Sequence, residues 1–149
     1  MRKTTTAFAV IAAALMFSSP TMAQDHSRNW ENGNVIATST IHLKPGMFNA
    51  YINDLRNVWS KFLDQQIDDG NVVSYRILVN SFGRDEEPDL VLITEYANWA
   101  AFDLGADYFD EVREKIIGSQ EEMRNMNLDR EALRTLGGNS VYQEIKFTN

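Results

Sequence analysis

The segment NVVSYRILVNSFGRDEEPDLVLITEY, residues 71–96, determines the predicted fold because two alternating runs in it are joined by a charged turn. Within residues 71–82, the odd-numbered side chains from Val73 to Val79 are apolar, while three of the four even-numbered ones from Ser74 to Asn80 are polar, which is the period of two of a β-strand. The alternation returns in residues 89–96, and residues 83–88 are turn-forming. The two runs are therefore predicted to form an antiparallel hairpin.

A strand and a long amphipathic helix precede this hairpin. Residues 35–43 are rich in β-branched side chains and alternate, and Pro45 and Gly46 end this first strand. Apolar residues then recur at helical spacing until Gly70, which predicts a helix from residue 48 to residue 67. The apolar residues of the stripe are Phe48, Ile52, Leu55, Trp59, Phe62, Leu63 and Ile67.

Helical segments and a last strand follow the hairpin. Asn98 is predicted to cap a helical region that is interrupted by glycines. Asn127 is predicted to cap a short helix over residues 128–136, which Gly137 and Gly138 end. Residues 140–147 alternate again and form the last predicted strand.

The resulting order, βαββαβ, is that of an α+β, ferredoxin-like antiparallel sheet with helices on one face. The opposite face of the sheet combines polar residues with Ile36, Leu78, Val91 and Ile93. A contiguous patch this apolar is expected to be covered, and a second copy of the same sheet would cover it in an isologous homodimer.

The first 23 residues are predicted to be a cleavable signal peptide. Arg2 and Lys3 precede an apolar run of about 11 residues, which is too short to span a bilayer, and the small residue Ala23 supplies a cleavage site. We therefore expect a periplasmic or secreted protein without a membrane anchor after cleavage. Residues 24–34 are polar and are predicted to be a flexible arm, and residues 35–149 are predicted to be the ferredoxin-like domain.

Composition restricts the partners of the predicted mature chain. It has no cysteine, which excludes disulfides and thiolate metal sites. It carries 12 Lys and Arg against 21 Asp and Glu, a net charge of −9, and no basic run. Nucleic acid and anionic membrane surfaces are therefore disfavoured, because both are bound chiefly through clustered cations.

Two stretches carry a resemblance to a known superfamily. The first strand ends in His42-Leu43-Lys44-Pro45-Gly46 before the long helix, and residues 91–96 run into Asn98-Trp99 and Phe102. In these features the chain resembles the dimeric α/β-barrel superfamily, which includes antibiotic-biosynthesis-monooxygenase-like and NIPSNAP-like domains. The resemblance implies two sheets facing each other across a barrel, with ligands between the sheet and the helices of a subunit. Haem-degrading members place a histidine on a helix, and neither predicted helix contains one.

Three polar residues of the uncovered face are the candidate catalytic residues. If the hairpin centres near residues 85 and 86, Arg76 lies opposite Glu95, and the pair could orient a polar ligand or tune an acid. The alternative is a structural ion pair that fixes the dimer register. His42 ends the first strand on the same face and is the only imidazole within the predicted domain, as either a base or a hydrogen-bonded structural residue.

The candidate ligand-binding residues are aromatic and lie on the long helix or on the helix-facing side of the sheet: Trp59, Tyr75 and Tyr96. Aromatic side chains at this spacing also serve as core. No motif for a phosphate loop, nucleophile elbow or metal site occurs, so no cofactor or metal is expected.

Three functions remain open from the sequence. The first is an exported homodimer that binds a small apolar or aromatic molecule in the cleft between sheet and helices. The second is a cofactor-independent monooxygenase or isomerase that uses His42, Arg76 and Glu95. The third is a non-catalytic envelope protein that binds a partner protein.

Overall fold

The computed structural model of the chain describes residues 28–148. The predicted signal peptide, residues 1–23, and the first four residues of the predicted arm lie outside the described part of the chain.

Four strands form one antiparallel sheet in the order β2-β3-β1-β4. Their bounds are β1 Trp30–Leu43, β2 Val72–Val79, β3 Leu90–Tyr96 and β4 Arg134–Phe147. The central strands β3 and β1 pair with each other, β3 also pairs with β2, and β1 also pairs with the last strand, β4, which is the ferredoxin-like arrangement. The predicted α+β, βαββαβ fold is confirmed.

The helices connect β1 to β2 and β3 to β4. The first connection is α1, Phe48–Asp54, which continues through a π-helical segment, Leu55–Trp59, into α2, Ser60–Asp68. The second contains a 3₁₀ turn, Trp99–Phe102, followed by α3, Ala106–Ile117, and α4, Gln120–Leu133. The helix predicted over residues 48–67 is confirmed, and Gly70 after it adopts a left-handed φ of 78° that favours glycine.

The hydrophobic core lies between the sheet and the first helix. Ile41, Leu90 and Leu92 of the sheet pack against Tyr51 and Leu55, and each of the five is at most 7% exposed. Ile41, Leu90, Leu92 and Leu55 belong to the strand face and helix stripe that the sequence patterns predict to be buried, whereas Tyr51 is not part of the predicted stripe. The core therefore occupies the space in which the sequence predicts a ligand cleft.

The first strand begins earlier than predicted. Residues 30–34 belong to β1 rather than to a flexible arm, and Trp30 pairs with Phe147. The polar composition of this stretch was misleading because β4 supplies its backbone hydrogen-bond partners. A register shift between Asn32 and Val35 accommodates the intervening residues.

The last helix and the last strand also differ from the prediction. Asn127 lies inside α4, which begins at a capping box formed by Ser119 and Glu122. Gly137 and Gly138 do not end a helix but lie within β4. Gly137 is an extra residue between two register positions of the β1–β4 pair, so it forms a bulge in the strand.

The hairpin register differs from the prediction by two residues. Arg76 lies opposite Ile93, and Ser74 lies opposite Glu95. The predicted register assumed a turn centred on residues 85 and 86, whereas β2 already ends at Val79 and β3 starts at Leu90. Arg76 and Glu95 are therefore diagonal neighbours on the same face, still within reach of a long side chain.

The face of the sheet opposite the core carries partly exposed apolar residues. Leu78 is 51% and Tyr142 is 56% exposed. We call this surface, formed by the alternate residues of each strand that point away from the core, the open face. None of the helices that the structure describes is long and apolar enough to cross a membrane.

Candidate functional site

Glu95 is the centre of a polar cluster on the open face. Ser74 Oγ donates a hydrogen bond to Glu95 Oε2 at 2.6 Å, and Asn34 Nδ2 donates one to Oε1 at 2.6 Å. Arg76 Nη2 lies 3.1 Å from Oε2 and completes an ion pair. Three donors from two neighbouring strands thus hold one carboxylate.

The hydrogen bonds from Ser74 and Asn34, and then the charge of Arg76, lower the pKa of the Glu95 carboxyl below its usual value. The group is therefore an anion at neutral pH, and both of its oxygens already accept hydrogen bonds. Such a carboxylate fixes the positions of its three donors better than it abstracts a proton.

His42 lies on the same face but far from this cluster. Ile36 pairs with Glu95, and His42 is six residues further along β1. At about 3.3 Å per residue, this separates His42 from Glu95 by about 20 Å. Within one chain, the structure brings Arg76 and Glu95 together but does not bring His42 to them.

The surroundings of His42 explain the glycine bulge in β4. His42 lies opposite Thr135, next to the bulge at Gly137. A Cβ on Gly137 would lie 2.9 Å from His42 Nε2 and 2.5 Å from Thr40 Oγ1. A side chain on residue 137 would therefore force Thr40 or His42 to shift, which favours glycine at this bulge.

A cavity of about 560 Å³ lies within the helical layer, between the first helix and helices α3 and α4. We call it the helix-layer cavity. Its apolar wall consists of Val58, Trp59, Phe62, Ile117, Met123 and Met126. Val58 and Trp59 belong to the π-helical segment, and both of these consecutive residues line the cavity.

The remaining lining residues are polar: Arg113, Arg124, Asn127 and Arg130. Arg130 Nε is 2.8 Å from Asp54 Oδ2, in an ion pair that is mostly buried, and Arg113 pairs with Asp110 on its own helix. The helix-layer cavity thus combines an apolar wall with a cationic rim.

The three predicted ligand-binding residues are separated by the structure. Trp59 lines the helix-layer cavity. Tyr75 packs edge-on against Trp59 at 5.2 Å and donates a hydrogen bond to Asp64 at 2.9 Å, so it supports the wall from behind. Tyr96 packs against Phe102 at 4.8 Å, and burial raises the pKa of its phenol. Tyr96 is not among the residues that line this cavity.

Sequence reasoning missed the contribution of α4 to the site. Met123, Met126 and Arg130 recur at intervals of three and four residues, which places them on one face of a helix. This signal was present in the sequence. A predicted helix start at Asn127 obscures this signal, because it assigns Met123 and Met126 to one element and Arg130 to the next.

Among residues 28–148, no group of three or more His, Asp and Glu side chains is placed to hold a metal ion. The lining of the helix-layer cavity gives no donor set for a metal either, since it consists of arginine, amide, thioether, aromatic and aliphatic side chains.

No protein-family model and no curated protein matches the chain. Among solved structures, it is similar to a NIPSNAP family protein from Agrobacterium tumefaciens, with 15% identity, a TM-score of 0.47 and coverage of 78% of this chain and 92% of that chain. A dimeric ferredoxin-like protein from an uncultured marine organism has 10% identity, a TM-score of 0.47 and coverage of 80% and 91%. SnoaB, a cofactor-independent oxygenase from Streptomyces nogalater, has 12% identity, a TM-score of 0.41 and coverage of 74% and 91%.

The oxygenase activity is that of the neighbour, and dimerisation is described for the marine protein.

Proposed function

We propose that this chain is an exported homodimer that binds a small, partly apolar molecule in its helix-layer cavity. The observation that carries the proposal is the cavity itself, whose volume of about 560 Å³ falls in the range of small-molecule sites. Apolar walls with a few polar groups on one side are typical of such sites. The position differs from the cleft predicted from the sequence, because core side chains fill that cleft.

The homodimer is proposed on the properties of the open face. Leu78 and Tyr142 are about half exposed there, beside partly buried Ile36 and Ile93. A second open face, related by a twofold axis, would bury both apolar surfaces at once. Export is proposed on the basic, apolar and small-residue order of residues 1–23.

Catalysis by His42, Arg76 and Glu95 is the less favoured alternative. The carboxylate that would act as base has both oxygens occupied by hydrogen bonds, and the imidazole is about 20 Å away along β1. Binding of a ligand without a reaction does not require a free carboxylate at Glu95 or a short distance between Glu95 and His42.

A variant that fills the cavity tests the proposal. The mature protein is screened by thermal shift against small aliphatic and aromatic compounds, and the Met126→Trp variant is screened in parallel. Met126 lines the cavity, so the larger side chain should occupy it and abolish the stabilisation that ligands give the wild type.

The matched control is Leu128→Trp, which adds a similar bulk on α4 at a residue that is 61% exposed. This variant should keep the ligand response. A wild type that responds to no compound, or a Met126→Trp variant that responds as the wild type does, would contradict binding in this cavity.

A further inference from the structure

The charge of the helix-layer cavity is opposite to that of the chain. Three of the 12 Lys and Arg residues of the predicted mature chain line the cavity: Arg113, Arg124 and Arg130. None of its 21 Asp and Glu residues is among the described residues that line it. Asp110 and Asp54 compensate two of these cations from outside the lining, so the described lining itself carries guanidinium groups and no carboxylate in a predicted mature chain of net charge −9.

Arg130 has hydrogen-bonding capacity that the protein leaves unused. Its Nε donates to Asp54 at 2.8 Å, but its Nη2 is buried and has no hydrogen-bond partner among the described residues. A buried donor without a partner costs free energy, and the cost is larger for a charged group. Arg130 is also among the residues that line the cavity, so its guanidinium group is close to any ligand bound there.

The other two arginines differ in whether a carboxylate compensates their charge. Arg113 is paired with Asp110, which lies outside the lining, and Arg124 has no carboxylate partner in the part of the chain that the structure describes. Guanidinium groups hold carboxylates through paired, charge-assisted hydrogen bonds. Arg124 has no carboxylate partner within residues 28–148 and Arg130 keeps donors beyond its pair with Asp54, so these two lining residues are suited to bind an anionic head group.

We propose that the ligand of the helix-layer cavity is an amphiphile with one carboxylate: its apolar part lies on Val58, Phe62 and Met126, and its carboxylate lies at Arg124 and Arg130. This inference rests on the proposed function and adds to it the chemical class of the ligand. The apolar wall excludes a ligand that is anionic throughout, because such a ligand would leave charge against Phe62 and Met126.

The test compares two probes that differ only in the head group. Binding of decanoate and of decanol to the full mature protein is measured by isothermal titration calorimetry at neutral pH and low salt. Decanoate should bind at least about tenfold more tightly than decanol, which is the effect of one charge-assisted contact. Inorganic phosphate alone should not bind, because it has no apolar part.

Variants of the lining arginines test which residues produce the preference for decanoate over decanol. Arg124→Gln should reduce the affinity for decanoate to near that for decanol, while the affinity for decanol stays unchanged. The matched control is Arg84→Gln, which removes the same charge in the turn between β2 and β3 and should keep the preference. Arg130→Gln should act as Arg124→Gln does, with the fold checked by circular dichroism because Asp54 loses its partner.

The outcomes separate the two proposals. Equal affinity for decanoate and decanol would overturn the carboxylate assignment and leave binding of an apolar molecule intact. A preference that Arg124→Gln and Arg130→Gln both retain would also overturn it. Absence of binding by both probes, together with no response in the thermal-shift screen, would overturn the carboxylate assignment and the proposed function alike.

Discussion

The carboxylate of Glu95 illustrates how a side chain can be predicted to matter while its role is set by neighbours that the sequence does not identify. Alternation in residues 71–96 placed Arg76 and Glu95 on one face, which is confirmed. The pattern could not show that Asn34, from a stretch interpreted as a flexible arm, donates to the same carboxylate. That contact depends on long-range pairing of β1, which local patterns do not encode.

The hydrogen bonds to Glu95 predict a pH-dependent contribution to stability. Because the pKa of the folded carboxyl lies below its unfolded value of about 4.3, the unfolded state binds more protons in this range. The contribution should be complete above about pH 5 and should be lost as the pH falls through the folded pKa.

Glu95→Gln should therefore lower the free energy of unfolding by about 1–2 kcal/mol at pH 7 and flatten its decline between pH 5 and pH 3. Urea denaturation at a series of pH values measures both effects. Glu86→Gln, an exposed residue of the turn, is the control. A Glu95→Gln variant whose pH profile matches that of the wild type would show that the cluster does not stabilise the anion.

Gly137 offers a second test at a single residue. Gly137→Ala should lower the free energy of unfolding by about 1–3 kcal/mol, because the new Cβ would overlap Thr40 and His42. Gly138→Ala is the control, since its Cβ would meet Thr40 Oγ1 at 3.9 Å, an ordinary contact. Equal stability of the two variants in thermal denaturation would contradict the close crossing at the bulge.

Helix α4 shows which elements could be predicted and which could not. Strongly periodic elements, such as the helix from residue 48 and strands β2 and β3, were predicted at nearly their observed bounds. For α4 the sequence analysis names only Asn127 as a cap, and the glycine pair after it is typical of a helix stop. The observed start at Ser119 satisfies two backbone donors, and β1 provides β4 with a partner that tolerates the glycines.

The capping assignment predicts losses of stability of different size for two variants. Ser119→Ala should lower the free energy of unfolding by about 1 kcal/mol, because the backbone N–H of Glu122 loses its acceptor. Asn127→Ala should cost little, since alanine is the better helix former inside a helix. Denaturant titrations that found the larger loss in Asn127→Ala would contradict a helix that begins at Ser119.

The packing of the helices against one another is the feature of the whole molecule that sequence patterns predict least well. Periodicity identified the core and the open face, but the helix-layer cavity depends on how α3 and α4 pack on the first helix, and no single segment records that arrangement. Its cationic rim is formed by residues from two helices that are separated in the chain by Gly118.

The open face predicts the oligomeric state. The wild type should be a dimer at micromolar concentration by light scattering coupled to size-exclusion chromatography, and Leu78→Glu should be a monomer because it adds a charge to the buried face. Leu128→Glu, on an exposed surface of α4, should remain a dimer. A monomeric wild type would contradict the proposed pairing of open faces.

Binding in the helix-layer cavity is tested most directly by two-dimensional amide NMR of the mature protein titrated with decanoate. The account predicts the largest shift changes in Leu55–Trp59 and in α4, with small changes on β2 and β3. Changes confined to the strands of the open face, or no changes at saturating probe, would contradict it.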